Sequence, residues 1–239
     1  MLAITFEEVN KTDKATTTTT TTTHRSNMKV GYTTKSSNTA KPSKPRVVPP
    51  IPEETLKVEE EMKKAYPEAS EEIDTNAPEP LIDEMALTVF VDSDHAHDKV
   101  TRRSVTGIVI ILGRTPILSY SKRQGAIECS TYGAEFMAMR TAVEETMAIR
   151  YMLRALGVRV ETTTMMYGDN LGVVQNATIK DSLLKKKHVA LSYNKTREAT
   201  AAGIVLPVHI NGEWNYADTL TKSQTRKTFA RLVQGIFHG

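Results

Sequence analysis

The stretch FVDSDHAHDKVTRRS, residues 90–104, closes an apolar run (Leu87, Val89, Phe90, Val91) and sets two acids, Asp92 and Asp94, at its end. Such a run is a strand buried on at least one face. Burying one carboxylate beside another is unfavourable unless a cation lies between them, so acids at this strand end suggest a metal site. One D-x-D suits any divalent-metal protein, and its partners must come from elsewhere in the chain.

Downstream, residues 105–112 (VTGIVIIL) make a second strand, Gly113 to Pro116 supply turn residues, and 117–121 make a third. Three strands on short links imply an antiparallel meander. Ser130 or Thr131 can then cap a helix running to Leu156 and closed by Gly157. Glu135, Met139, Ala142, Thr146, Ile149, Leu153 and Leu156 recur at spacings of four and three along it, which places Glu135 on the inward stripe; Met137, Met139, Met147 and Met152 read as core filler. Residues 162–168 form a fourth strand that again ends on an acid, Asp169, followed by Asn170 and a short helix to about residue 176. A longer helical stretch over 183–202, a fifth strand over 204–210 and a last helical region opening with Asp218 complete the order βββαβα(α)βα. The helix after the third strand lets the fourth lie parallel to the first, which brings Asp92 and Asp169 to one edge of the sheet.

The first 84 residues have a different composition. Eight threonines (Thr16 to Thr23) precede KPSKPRVVPPIPEE, with five prolines from Pro42 to Pro52, a composition that buries no core. A thin apolar stripe allows a short charged helix over 53–65, ended by Pro67. The expected division is therefore a disordered tail and acidic linker over 1–80 and one α/β domain over 81–239. Charge is regional: eight basic against three acidic residues over 1–52, three against twelve over 53–84, and twenty against thirteen over 85–239. A basic block that reserves acids for a metal suits a polyanion, although an ordinary solvated surface has the same balance. No apolar run is long enough for a bilayer and the N-terminus lacks the pattern of a signal peptide, so an intracellular protein, cytoplasmic or nuclear, with no membrane partner is expected. The single Cys129 rules out an internal disulfide framework, and His95, His97 and Cys129 lack the four regularly spaced ligands of a structural zinc site.

The blocks FVDSDHAHDKVTRRSVTG, PILSYSKRQ, STYGAEFMAM, YGDN, LLKKKH with SYNKTREA, and NYADTLTK follow one another in an order and spacing that resembles the ribonuclease H domain of copia-type long-terminal-repeat retrotransposon polyproteins, over about residues 76–234. The resemblance implies an RNase H-like fold with a five-stranded mixed sheet flanked by helices. It also implies Asp92, Glu135, Asp169 and Asp218 as the metal-binding, catalytic acids, with Asp94 and Asn170 in support, and two Mg²⁺ ions, or Mn²⁺, as cofactors. The implied substrate is the RNA strand of an RNA/DNA hybrid; Lys185, Lys186, Lys187, His188, Arg102, Arg103, Lys122 and Arg123 are the candidates to hold its phosphates, against the plainer reading of a solvated charged face, and His188 equally suits helix packing. Nothing in the first 84 residues resembles the polymerase that precedes this domain in such polyproteins, so a reverse transcriptase would be a partner in cis or in trans. The other reading is a catalytically silent remnant that binds nucleic acid or protein.

Overall fold

The computed structural model describes residues 57–239 apart from 83, 185, 186, 238 and 239. Residues 1–56 of the expected tail, and Lys185 and Lys186, lie outside the described residues. Strands β1 (Leu87–Asp94), β2 (Val105–Leu112) and β3 (Thr115–Arg123) form the antiparallel meander, and β4 (Thr164–Gly168) and β5 (Val205–His209) add in parallel, giving the order β3-β2-β1-β4-β5. This is the five-stranded mixed sheet expected of an RNase H-like fold.

β1 sits at the centre of the sheet and is covered on both faces. Leu87, Val89 and Val91 share a core with α2 (Thr131–Ala155), while Phe90 packs on the other side with Tyr216 and with Leu232 and Ile236 of α6 (Arg226–Phe237). β2 divides likewise, Ile108 and Ile110 from Val109 and Ile111. Double burial is why β1 and β2 carry the continuous apolar runs at 89–91 and 108–112. β3, on the edge, alternates instead and tolerates Pro116.

Helix α2 begins where Ser130 Oγ accepts the Gly133 N–H at 3.1 Å and ends at Gly157, whose φ of 74° suits a residue without Cβ. The inward stripe holds from Glu135 to Leu153, but Leu156 is 70% and Met152 54% exposed because the stripe rotates off the sheet in the last turn. β4 starts at Thr164 rather than 162, since Arg150 takes the Thr162 carbonyl and Glu84 the Thr162 N–H. α3 spans Leu171–Thr178. The stretch expected to be helical over 183–202 is shorter: a single turn at Lys187–Val189 leads into α4 (Ala190–Ala201).

Residues 57–80, assigned by composition to the linker, are held against the domain. In α1 (Val58–Ala65) the thin stripe suffices to bury Met62 completely. Farther on, the Glu71 carboxylate accepts from Arg150 Nε and Nη2 at 2.7 and 2.8 Å and from Arg154 Nη1 and Nη2 at 2.8 and 2.7 Å. Linker composition hides such anchors because only a few residues carry them. No described helix is long and apolar enough to cross a membrane.

Candidate active site

Acids from four elements gather at the carboxyl end of β1. Asp92 is wholly buried and, by strand alternation, shares the Phe90 face, over which α5 (Asp218–Thr221) lies. The parallel register pairs Phe90 with Tyr167, so Asp169, two residues on, arrives level with Asp92. Glu135 reaches in from the start of α2, which is tied to the meander by Gln124: its Nε2 donates to both Thr106 Oγ1 and the Ala134 carbonyl at 2.9 Å. Oxygens of Asp92, Glu135 and Asp169 lie within 4.8 Å of one another. The sheet brings Asp92 and Asp169 to one edge, and the inward stripe of α2 adds Glu135 to them.

Asp218 joins through a connection made by Asn215. This buried side chain donates to the Val91 carbonyl at 3.0 Å and accepts the Ala217 N–H at 3.2 Å, pinning the start of α5 beside β1. Between the acids stands a cation that the sequence reading passed over. Lys222 Nζ is 3.0 Å from Asp92 Oδ1, 3.1 Å from Asp218 Oδ1 and 3.8 Å from Asp169 Oδ2, and Thr221 Oγ1 donates to Asp92 Oδ2. The four-residue spacing of Asp218 and Lys222, which pairs side chains on a helix, was the available signal.

Burial drives the electrostatics. Glu135 is pushed up to about 9, first by desolvation and then by Asp92 and Asp169, with Lys222 opposing. Desolvation and Asp92 likewise raise Asp169, and raise Asp218 to about 6, against the pull of Lys222. Burial alone would lower Lys222, yet Asp92 and Asp218 hold it above the ordinary lysine range. A compact set of buried and half-buried carboxylate oxygens fits a hard divalent cation.

Gly107, opposite Asp92 on β2, makes this packing possible. A Cβ there would lie 2.7 Å from Thr221 Cγ2 and 2.9 Å from the Ala217 carbonyl oxygen, so α5 can approach only a glycine. Gly107→Ala is expected to destabilise the domain by about 1–3 kcal/mol and to shift Asp218 and Lys222 away from Asp92. Urea denaturation alongside a Mn²⁺ titration checks both effects, and unchanged values in both would remove the steric role assigned to this glycine.

The remaining expected residues distribute around the cluster. Asp94 turns to His97 Nδ1 at 2.6 Å, and Asn170 Oδ1 caps α3 by accepting the Val173 N–H at 3.2 Å. Lys122 and Arg123 sit on β3 two strands from Ser93 and Asp94, at the same end of the sheet, with Arg123 held by Asp98 at 3.1 Å. Arg102 is exposed in a left-handed turn (φ 57°) closed by its N–H to the Asp98 carbonyl, and Arg103 follows it into β2. Lys187 and His188 are exposed on the turn that packs Val189 against the start of α2, His188 Nε2 lying 3.6 Å from Glu128 Oε2. His95 contacts the Glu128 carbonyl at 3.0 Å, and His209 the Asp169 carbonyl at 3.1 Å.

The chain is similar to retrovirus-related Pol polyproteins. It is 30% identical over 152 residues to the Pol polyprotein from transposon RE1 of Arabidopsis thaliana, covering 64% of this chain and 10% of that protein. To the Pol polyprotein from transposon TNT 1-94 of Nicotiana tabacum it is 27% identical over 143 residues, 60% of this chain and 11% of the relative. The chain thus spans about a tenth of these curated relatives. No protein-family model matches it. Among solved structures, the N-terminal RNase H domain of a Mycobacterium tuberculosis protein aligns with a TM-score of 0.43 at 14% identity, over 63% of this chain and 98% of that one.

Proposed function

We propose that this domain is a metal-dependent endoribonuclease that hydrolyses the RNA strand of RNA/DNA hybrids, with Asp92, Glu135, Asp169 and Asp218 holding two Mg²⁺ ions, or Mn²⁺. The observation that carries this is the convergence of Asp92, Glu135 and Asp169 within 4.8 Å at the end of the central strand. Similarity to Pol polyproteins supports it, because hybrids arise wherever an RNA template is copied into DNA. Bound divalent cations would supply Lewis acidity, activating a water and stabilising the leaving oxygen of the scissile phosphodiester.

The chain's own groups set the geometry. Asp92 and Asp169, level on adjacent parallel strands, offer oxygens from one side and Glu135 from α2 closes another. Lys122, Arg103 and Lys187 would take backbone phosphates at the rim, which reads helical shape rather than bases. The preceding polymerase of a Pol polyprotein would add a second grip on the same hybrid and raise the effective affinity.

Glu135 provides a proton count. Its raised value of about 9 leaves it protonated at pH 7, whereas coordination requires the carboxylate. Calorimetric titration with Mn²⁺ at pH 7, in two buffers of different ionisation enthalpy, should show about one proton released per domain. Without a cation the fold keeps a proton that the unfolded chain releases above its ordinary 4.5, so this group's contribution is lost as pH rises from about 4.5 through about 9. Saturating Mn²⁺ should flatten that slope, and heats independent of buffer would contradict the assignment.

The function itself is tested by incubating the purified chain with a labelled RNA/DNA hybrid, an RNA duplex and a DNA duplex in Mg²⁺. Cleavage confined to the RNA strand of the hybrid is expected, and none with chelator. Hybrid binding without cleavage, with Mn²⁺ bound, would favour the silent nucleic-acid-binding remnant instead.

A further inference from the structure

The ammonium group of Lys222 stands where positive charge is needed most. Three carboxylates lie within 4 Å of its Nζ: it donates to Asp92 of β1 at 3.0 Å and to Asp218 of α5 at 3.1 Å, and Asp169 at the end of β4 is 3.8 Å away. Its stem leaves the chain one residue past α5, so the helix that delivers Asp218 also aims the lysine. We propose that Lys222 is a resident counter-cation of the carboxylate cluster, occupying the space between Asp92, Asp169 and Asp218 until a divalent cation displaces it. The proposal rests on reading the cluster as a metal site.

Charge, distance and exposure all favour the exchange. One ammonium faces three carboxylates directly, and Glu135 lies close to two of them, so a cation of higher charge is favoured over the ammonium. An ammonium and a divalent cation cannot share the same oxygens at these distances without strong like-charge repulsion. The Lys222 side chain is also 38% exposed, so its flexible stem can swing to solvent without backbone movement. In the metal-free domain the lysine keeps the acids assembled, and it lowers metal affinity by the fraction of time it occupies the cluster.

The test uses the full chain and Mn²⁺ alone. Calorimetry should show Lys222→Met binding Mn²⁺ about tenfold more tightly than the unmodified protein, as expected if the ammonium is in place about nine-tenths of the time. The metal-free variant should melt at a lower temperature, and Mn²⁺ should raise its melting point more than that of the unmodified chain. Equal or weaker Mn²⁺ binding by the folded variant overturns the proposal. A measurement on the unmodified protein decides the matter even if the variant does not fold: acylation by an N-hydroxysuccinimide ester, followed by mass spectrometry. Lys222 should become severalfold more reactive on adding Mn²⁺, with the exposed Lys227 unchanged. Mn²⁺ binding that leaves Lys222 reactivity unaltered overturns the displacement alone, whereas no Mn²⁺ binding by the unmodified chain overturns the metal-site reading and the proposal together.

Discussion

Glu71→Ala is expected to lower the unfolding free energy by about 3–5 kcal/mol, the range for removing one partner of a buried ion pair. The effect comes from Arg150, which is only 1% exposed and loses two of its charge-assisted bonds while keeping the Thr162 carbonyl at 2.7 Å. Arg154 loses its carboxylate too, but at 15% exposure it regains water and adds less. A pH series gives a second reading. Burial would raise Glu71, yet Arg150 and Arg154 together hold it at about 2, against an ordinary 4.5. Its stabilising contribution is therefore complete above about 4.5 and lost as pH falls towards 2. Urea denaturation should show the gap between variant and unmodified protein closing over that interval. A variant as stable as the unmodified protein at pH 7 would mean that residues 57–80 only rest on the domain. Removing residues 1–80 deletes the same carboxylate and should be at least as damaging.

The proposed hydrolysis of an RNA/DNA hybrid should fall on the order of 10³-fold or more in Asp92→Asn, since a bound cation's Lewis-acid stabilisation would be worth several kcal/mol of barrier. Asp92 is the acid to which Thr221, Lys222 and, through proximity, Glu135 and Asp169 all refer. Asparagine keeps the shape and can still accept from Thr221, so the fold should survive while the charge that gathers cations is lost. Asp94→Asn is the control. Asp94 is engaged by His97 rather than the cluster, and its substitution should cost less than about tenfold. Single-turnover cleavage in Mg²⁺ measures both. Retention of a tenth of the rate by Asp92→Asn, or equal damage from Asp94→Asn, would remove Asp92 from the centre of the site.

Much of this architecture is written locally. The doubly buried β1 and β2, the inward row of α2 and the Ser130 and Asn170 caps depend on neighbours a few positions away, so periodicity and capping chemistry reveal them. Asp92 and Glu135 were legible for the same reason, each a charge where the local pattern calls for burial, and Asp169 because it closes an apolar strand. The shortened helix before Ala190 and the exposed end of α2 were not, because helix ends are set by what the adjoining chain packs against.

What the amino-acid sequence alone determined was the order of elements and the identity of the acids at the strand ends. Tertiary structure decided what surrounds them. Lys222 among the carboxylates, Gly107 beneath α5, Asn215 on the Val91 carbonyl and Glu71 between two arginines all join residues remote in the chain. A lysine in a polar C-terminal stretch, or a glutamate in an acidic linker, has the composition of solvated surface, and only the low-dielectric space closed by packing turns it into a partner for a buried charge.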